Sequence, residues 1–228
     1  MNNALLRLLH ISDPSLPVGA YAHSGGLETY VQCGLIHDSS TAKKFVTAVL
    51  INSLQYTDAA YLSLAFDAAA APDEKKLLLM DAACSAVKLP EEMRKASIKL
   101  GKRLQKLFEP LYGNAFTAFY TNAVNAGNAD GHYCILFGLY AHAMQVCKED
   151  ALTGFYYNAA AGYITNCVKL VPLGQQQGQE ILFSLQPLLE KLVAASLQPD
   201  PALTGLCSPG LDIRCMQHEQ LYSRLYMS

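Results

Sequence analysis

The sequence predicts an all-α protein, with one helical domain over residues 1–198 and a linker and C-terminal segment over residues 199–228. Three observations lead to this fold class. Apolar residues recur at the helical period along most of the chain, the alternation typical of β-strands is absent, and prolines and glycines divide the periodic stretches. The 228 residues are enough for one sizeable core. We expect about nine or ten helices and a C-terminal tail that packs on the domain or on a partner.

The N-terminal half predicts five helices. An Asp-Pro pair ends the first helix, and Gly34 is the expected residue beyond the C-cap of the second. A Ser-Ser-Thr cluster caps a long third helix, which Pro72 ends. The fifth helix begins at Pro90, is closed by Pro110 and Gly113, and carries its apolar residues on one face. The first four cover residues 4–11, 27–33, 41–70 and 73–87.

The C-terminal half predicts four more helices. A turn around Gly127 and Gly131 separates the first two, and Pro172 with Gly174 separates the last two. The four cover residues 114–125, 132–147, 150–171 and 177–197. Three prolines and two glycines then indicate a linker over residues 198–210. The end of the chain from Leu211 forms either a short helix or an extended tail.

Composition excludes several classes of protein. Hydrophobic residues make up 51% of the chain and charged residues only 16%, which excludes disorder. Seventeen basic and nineteen acidic residues leave a net charge of −2, so no basic field attracts nucleic acid. No apolar run approaches the roughly 18 residues of a membrane span, and no signal peptide is recognisable. Seven scattered cysteines fit reduced thiols, and we therefore expect a cytoplasmic protein.

One short motif raises the possibility of an enzyme. The run from Tyr21 to Gly26 is faintly similar to the nucleophile elbow of α/β-hydrolases, with Ser24 as the nucleophile and Asp212 and His218 as conceivable partners. The elbow needs a strand before it, whereas a proline- and glycine-rich loop precedes it here. A glycine-rich turn with Ser24 as the cap of the next helix is the simpler interpretation. A serine hydrolase stays open as an alternative function.

Metal and nucleotide motifs are weak or absent. Cys215 and His218 lie on one helical face and are weak candidates for a metal site. An ordinary thiol and a hydrogen-bonding histidine explain them better. The sequence contains no CxxC, HExxH, P-loop or dinucleotide-binding motif. We expect no catalytic residue, no bound metal and no tightly bound cofactor.

Two further stretches suggest contacts with macromolecules. Six basic residues lie between Arg94 and Lys106, and a helical nucleic-acid-binding protein is a second alternative. Without interleaved aromatic residues, a solvated helix face is favoured, and we expect no nucleic-acid partner. The tail after residue 216 contains the tyrosine and arginine types that are enriched at binding hot spots. This composition favours a tail that folds onto a partner.

Four motifs, in order along the chain, resemble those of the urease accessory protein F family. They are SLPVGAYAHSGGLE at residues 15–28, GH at 131–132 with FGL at 137–139, KLVPLGQQQGQ at 169–179, and HE at 218–219 with YSRLY at 222–226. Each motif alone is modest, but together they span nearly the whole chain and are highly specific. Tyr226 stands where phenylalanine is common in the family, which leaves the resemblance intact.

The resemblance implies a function as well as a fold. It implies an all-α cytoplasmic protein without catalytic activity, which forms a homodimer and serves the nickel-delivery machinery of urease. Its partners would be the urease accessory protein D or H, the nickel-carrying GTPase called accessory protein G, and apo-urease. The family is thought to gate GTP hydrolysis and nickel release. Nickel would be in transit through such a complex.

The matched motifs also imply roles for particular residues. Tyr21, Lys169 and Arg224 would meet the GTPase, Arg224 as an anchor rather than an arginine finger. The tail from Asp212 would contact the D/H partner and become ordered on binding, through His218, Glu219, Tyr222, Leu225 and Tyr226. The remaining matched positions would shape the loops: Pro17, Gly19, Ser24, Gly26, Glu28, Pro172, Gly174 and Gln175.

Overall fold

The computed structural model describes residues 3–227, and these residues form eleven α-helices and no β-strand. The all-α fold class is therefore confirmed. The helices are α1 (Ala4–Ile11), α2 (Leu27–Gln32), α3 (Ser39–Val49), α4 (Asp58–Ala70), α5 (Glu74–Val87), α6 (Glu91–Tyr112), α7 (Ala115–Asn125), α8 (Tyr133–Ala143), α9 (Lys148–Leu170), α10 (Gln175–Ser196) and α11 (Pro209–His218). None of the helices within residues 3–227 is long and apolar enough to cross a bilayer.

Helix α8 lies at the centre of the domain. Every residue from Cys134 to Ala141 is buried, so the helix is apolar on all sides and needs neighbours all round. It packs against α4, α6 and α9. Gly138 lets α4 approach closely, because a Cβ atom at this position would overlap the backbone carbonyl oxygen of Leu62. The helices around α8 thereby share one hydrophobic core.

The long helix predicted over residues 41–70 is wrong in its middle. Helix α3 ends at Val49, a π-helical turn covers Leu50–Leu54, and α4 begins only at Asp58. The break frees the carbonyl oxygen of Tyr56, which accepts a hydrogen bond from the N–H of Gly205 at 2.7 Å. Since that donor comes from the linker near the other end of the chain, no local pattern could predict the interruption.

The helix predicted over residues 132–147 is also too long. Helix α8 ends at Ala143, and Gln145 then adopts a left-handed backbone with φ of 58°. The N–H of Val146 donates to the carbonyl of Ala141 at 3.1 Å, which completes a Schellman motif. Glycine usually occupies the left-handed position of this motif, so a glutamine there gives no stop signal in the sequence. At Gly34, the same motif ends α2 as predicted.

The remaining boundaries differ by smaller amounts. Helix α6 continues through Pro110 to Tyr112 and Gly113 is its C-cap, so of the two residues predicted to close the helix only Gly113 ends it. A proline in the last turn removes only one helical hydrogen bond, and the helix tolerates it there. Beyond the linker, α11 is the short helix of the two forms considered for the C-terminal segment. It packs against α2 and α6.

Candidate functional site

The loop between α1 and α2 lies against two distant parts of the chain. Gly19 has a left-handed backbone with φ of 86°, and a Cβ atom there would overlap the guanidinium group of Arg103. That guanidinium donates to the carbonyl of Val18 at 2.8 Å and ties the loop to α6. Gly26, with φ of 83°, faces α11, where a Cβ atom would lie 2.8 Å from the sulfur of Cys215. These two glycines allow the loop to sit between α6 and α11.

Glu28, in the first turn of α2, is the point where the C-terminal segment is attached. Its side chain is only 4% exposed. Its carboxylate accepts hydrogen bonds from the N–H of Leu225 at 2.7 Å and the N–H of Tyr226 at 3.2 Å. It also lies 3.0 Å from Nε2 of His218. One buried carboxylate thus satisfies two backbone donors and one ring nitrogen of the last 11 residues of the chain.

His218 connects this carboxylate to a second one. Its other ring nitrogen, Nδ1, lies 2.8 Å from Glu92 of α6. Glu92 also accepts a hydrogen bond from Arg224 at 2.8 Å. Carboxylates only accept hydrogen bonds, so an imidazole with a proton on each nitrogen donates to both glutamates at once. We call Glu28, Glu92, His218 and Arg224 the clamp.

The clamp holds a segment that also contacts the loop and α2. The N–H of Met227 donates to the carbonyl of Ala22 at 2.8 Å, and Gln32 donates to the carbonyl of Ser223 at 3.0 Å. The C-terminal segment therefore docks on its own domain. Its side chains point in two directions, with His218 and Tyr226 buried. The outward set is Glu219, Tyr222, Leu225 and Met227.

A cavity of about 400 Å³ lies beneath the same loop. Tyr21 and Lys169 line it from opposite parts of the chain, and both side chains are exposed, Tyr21 at 72%. Asn166 of α9 joins the two parts, because its amide donates to the carbonyl of His23 at 2.9 Å. His23 also lines the cavity. Its burial and the positive charges of Lys99 and Arg103 lower the pKa of its imidazole, which favours the neutral form.

One wall of this cavity contains a largely buried ion pair. Lys88 lies 2.7 Å from Asp58. Burial alone would raise the pKa of Asp58, but the ammonium group of Lys88 outweighs it and holds that pKa below its usual value. The pair is therefore charged, and it supplies a fixed dipole to an otherwise largely apolar cavity.

The turn before α8 is organised by another buried carboxylate. Asp81, at the centre of α5, accepts hydrogen bonds from the N–H of Asp130 at 2.6 Å, the N–H of Gly131 at 3.1 Å and the hydroxyl of Tyr120 at 2.5 Å. The next residue, His132, is fully buried and bonded to hydroxyl groups of α5 and α6. The glycine-histidine pair thus fixes where α8 starts.

Known proteins are similar to this chain over nearly its whole length. A family model described as UreF matches residues 36–186. The urease accessory protein UreF of Actinobacillus pleuropneumoniae is 46% identical over 97% of both chains. That of Haemophilus influenzae is 45% identical over 97% of this chain and 94% of its own. A more distant relative, from Bacillus sp. (strain TB-90), is 34% identical over 99% of this chain and 100% of its own.

This chain belongs to the UreF family. Three motifs that are far apart in the sequence meet around one loop in this UreF fold: residues 15–28, 169–179 and 218–226. Tyr21 and Lys169 share the cavity beneath the loop, and Arg224 belongs to the clamp beside it. The carboxyl end of α9 leads to an exposed turn at Pro172, where the N–H of Gly174 is capped by Gln177 at 2.9 Å. The structure places Gln175 there on the surface.

Among the residues considered for catalysis and metal binding, Ser24, Cys215 and His218 are buried in the UreF fold. Ser24 is fully buried, and both ring nitrogens of His218 face glutamates rather than Ser24. Burial raises the pKa of the Cys215 thiol to about 12, which disfavours the thiolate that a metal requires. Within residues 3–227, no group of three or more histidine, cysteine, aspartate or glutamate side chains could hold a metal ion.

Several residues that build this UreF site carry no recognisable signal in the sequence. Glu92 is one of two acids in the first turn of α6, where acids are common, although it binds both His218 and Arg224. Arg103 was assigned to a solvated face, yet it anchors the loop at Val18. Nothing in the spacing of these residues pairs them with their partners. The one available signal was the low overall charge of the chain. Because few residues are charged, each carboxylate is a stronger candidate for a buried contact.

Proposed function

We propose that this protein is a non-catalytic scaffold for urease maturation in the cytoplasm. A dimer of the chain joins the accessory protein D or H to the nickel-carrying GTPase, accessory protein G, and brings them to apo-urease. In this role the protein modulates GTP hydrolysis and nickel delivery. Nickel is cargo in the complex, and the engaged His218 and buried Cys215 support the absence of a resident metal.

One observation carries the proposal: the C-terminal segment is anchored by its backbone while it presents apolar side chains outward. Glu28 and Ala22 accept its N–H groups. Large apolar groups on one exposed segment are typical of a protein-binding surface, and tyrosine is enriched at binding hot spots. The exposed apolar side chains are Ile213, Met216, Tyr222, Leu225 and Met227. We propose that the D/H protein binds to this set.

The D/H contact can be tested without disturbing the clamp. Tyr222 and Leu225 are exposed, and replacing both side chains by alanine leaves the N–H of Leu225 on Glu28. We expect the affinity for the D/H protein to fall at least thirtyfold, because hot-spot residues each contribute about 2 kcal/mol. Light scattering after size exclusion should then show that a two-plus-two complex with the D/H protein is lost. Deletion of residues 212–228 should have the same effect.

A matched control comes from α10. Phe183 is 72% exposed and lies far along the chain from the C-terminal segment. Phe183→Ala removes a similar apolar surface and should leave the complex intact. If the double variant and the deletion both still bind the D/H protein, the segment does not bind this partner. The GTPase would then be the next candidate for it.

We propose that the GTPase binds over the loop, where Tyr21 and Lys169 lie at one cavity. Tyr21→Ala should weaken recruitment of the GTPase by the D/H complex at least tenfold, since a large exposed tyrosine is lost from the centre of the proposed contact. Pull-down with the nucleotide-bound GTPase measures this. Tyr157, which is half-exposed on α9 outside the cavity, provides the control variant Tyr157→Ala. Equal recruitment by both variants would contradict the assignment.

Arg224 has an anchoring role in this proposal. Its guanidinium already pairs with Glu92 at 2.8 Å, so it orients the end of the chain beside the loop. Arg224→Ala should therefore reduce recruitment of the GTPase itself. Normal recruitment with loss of stimulated GTP hydrolysis would instead identify Arg224 as an arginine finger.

A further inference from the structure

The cavity beneath the loop between α1 and α2, which we call the loop cavity, is large enough to hold a small molecule. Its volume of about 400 Å³ lies within the range of roughly 300–1,000 Å³ that is typical of ligand sites. Most of its wall is apolar, which favours a ligand with an apolar body. The large apolar side chains of the wall are Leu16, Val18, Leu54, Met93, Leu100 and Phe155.

The ion pair of Lys88 and Asp58 places donors and an acceptor side by side in this apolar wall. Both side chains line the loop cavity, and they are 11% and 20% exposed. Within residues 3–227, the ammonium group of Lys88 binds only Asp58, so two of its three N–H groups have no acceptor. The bonds that Asp58 accepts, from Lys88 and Thr57, both reach its Oδ2 atom. Its Oδ1 atom has no donor in the described part of the chain and is not fully enclosed.

A tyrosine hydroxyl adds a further polar group beneath the loop. Tyr163 of α9 lines the loop cavity, and a Cβ atom at Gly25 of the loop would lie 2.7 Å from its hydroxyl oxygen. Among the residues that the structure describes, this hydroxyl has no hydrogen-bond partner. Burial raises the pKa of Tyr163 above its ordinary value, so the hydroxyl keeps its proton and is a donor.

The charges around the loop cavity favour a neutral ligand. Lys88 and Asp58 cancel each other, and His23 favours its neutral form. The other charged groups of the wall, Asp13 and Lys169, are exposed, and water screens their charges. A carboxylate at the ion pair would face Asp58, and an ammonium group would face Lys88. Burying either charge without a partner of opposite sign is unfavourable.

We propose that the loop cavity binds a small neutral molecule that carries a primary carboxamide on an apolar body. The carbonyl oxygen of the carboxamide accepts from Lys88 or Tyr163, and its NH₂ group donates to Oδ1 of Asp58. A carboxamide is neutral and has an acceptor and two donors on adjacent atoms, which is what the ion pair leaves unsatisfied. The apolar body packs against the aromatic and aliphatic side chains of the wall, Phe155 among them.

Calorimetric titration of the full chain with three probes of similar shape tests the site. Hydrocinnamamide carries the carboxamide, benzylacetone has a methyl group in place of the NH₂ group, and hydrocinnamate has a charged oxygen there. We expect saturable binding of hydrocinnamamide. Benzylacetone should bind at least tenfold more weakly, because it leaves Oδ1 of Asp58 buried without a donor. Hydrocinnamate should also bind at least tenfold more weakly, because its carboxylate would face Asp58.

Two substitutions of alanine test whether the apolar body occupies the loop cavity. Ala159 is half-buried on α9 and lines the cavity. Ala159→Leu adds volume to the wall and should weaken the binding of hydrocinnamamide at least tenfold. Ala82 is exposed on α5 and lies outside the cavity. Ala82→Leu adds the same volume and should change the affinity less than twofold.

A double variant tests the role of the ion pair. Asp58→Leu combined with Lys88→Met replaces the largely buried pair by apolar side chains of similar volume, an exchange that proteins often tolerate. The preference for hydrocinnamamide over benzylacetone should then fall to less than threefold. If this variant does not fold, the ratio measured for the unaltered chain still decides the role of the pair.

The titrations use the chain alone, so their outcome is independent of the GTPase contact that we propose over the loop. Absence of saturable binding of hydrocinnamamide would overturn the proposal. Equal or tighter binding of benzylacetone or hydrocinnamate would also overturn it, as would equal effects of the two alanine substitutions.

Discussion

Replacement of Glu28 by alanine is expected to release the C-terminal segment from the domain. The substitution leaves the N–H groups of Leu225 and Tyr226 without their acceptor and His218 without one of its two carboxylates. Removing one partner of a buried ionic hydrogen-bond network costs about 3 kcal/mol or more. The melting temperature should fall by about 6–12 °C, given the usual 2–4 °C per kcal/mol for chains of this size. Amide hydrogen exchange should show lost protection at both N–H groups.

Glu91 provides the matched control for this experiment. It lies in the first turn of α6 and forms an exposed ion pair with Lys95. Exposed pairs of this kind contribute little, so Glu91→Ala should change the stability by less than about 0.5 kcal/mol. Continued protection of the Leu225 and Tyr226 amides in the Glu28→Ala variant would show that other contacts hold the segment.

Alanine at Gly138 is expected to disrupt the centre of the domain. The added methyl group would overlap the carbonyl of Leu62, which belongs to the backbone of α4 and cannot move aside like a flexible side chain. Helices α4 and α8 would have to separate, and overpacking of a core costs about 1–3 kcal/mol or more. We expect a loss at the upper end of this range, measured by urea unfolding, because α8 is buried on all sides.

Gly162, an exposed glycine of α9, is the natural comparison. A Cβ atom built there has no neighbour within 4 Å. Gly162→Ala should therefore stabilise the protein by about 0.5–1 kcal/mol, because alanine loses less backbone entropy than glycine in a helix. Destabilisation by both substitutions, or by neither, would contradict the close approach of α4 and α8 at Gly138.

The sequence predicted the elements whose boundaries depend on local chemistry. The helices predicted from residues 73 and 114 begin where Asp73 and Asn114 act as N-caps, and Gly34 ends α2 as expected, in each case through hydrogen bonds to residues a few positions away. Two boundaries were missed, one because it depends on a distant residue and one because its residue type gives no stop signal. The break before α4 relies on the N–H of Gly205, and the end of α8 relies on a left-handed glutamine that has no compositional signal.

The candidate site divides in the same way. The residues of its motifs could be named from the sequence, because a resemblance to a family needs only the residue types and their order along the chain. Their partners could not be named, because Glu92 and Arg103 look like ordinary residues of a solvated helix until α6 is packed. Each then contacts a distant part of the chain: Glu92 the clamp and Arg103 the loop.

The sequence by itself determined the all-α class, most of the helices and the family, because periodicity, capping residues and motif order are properties of neighbouring positions. The tertiary structure alone decided that the C-terminal segment docks on its own domain through Glu28 and that Tyr21 and Lys169 share one cavity. Contacts between distant positions form only when burial brings the helices together. A buried carboxylate then stabilises whichever donors the packing places beside it.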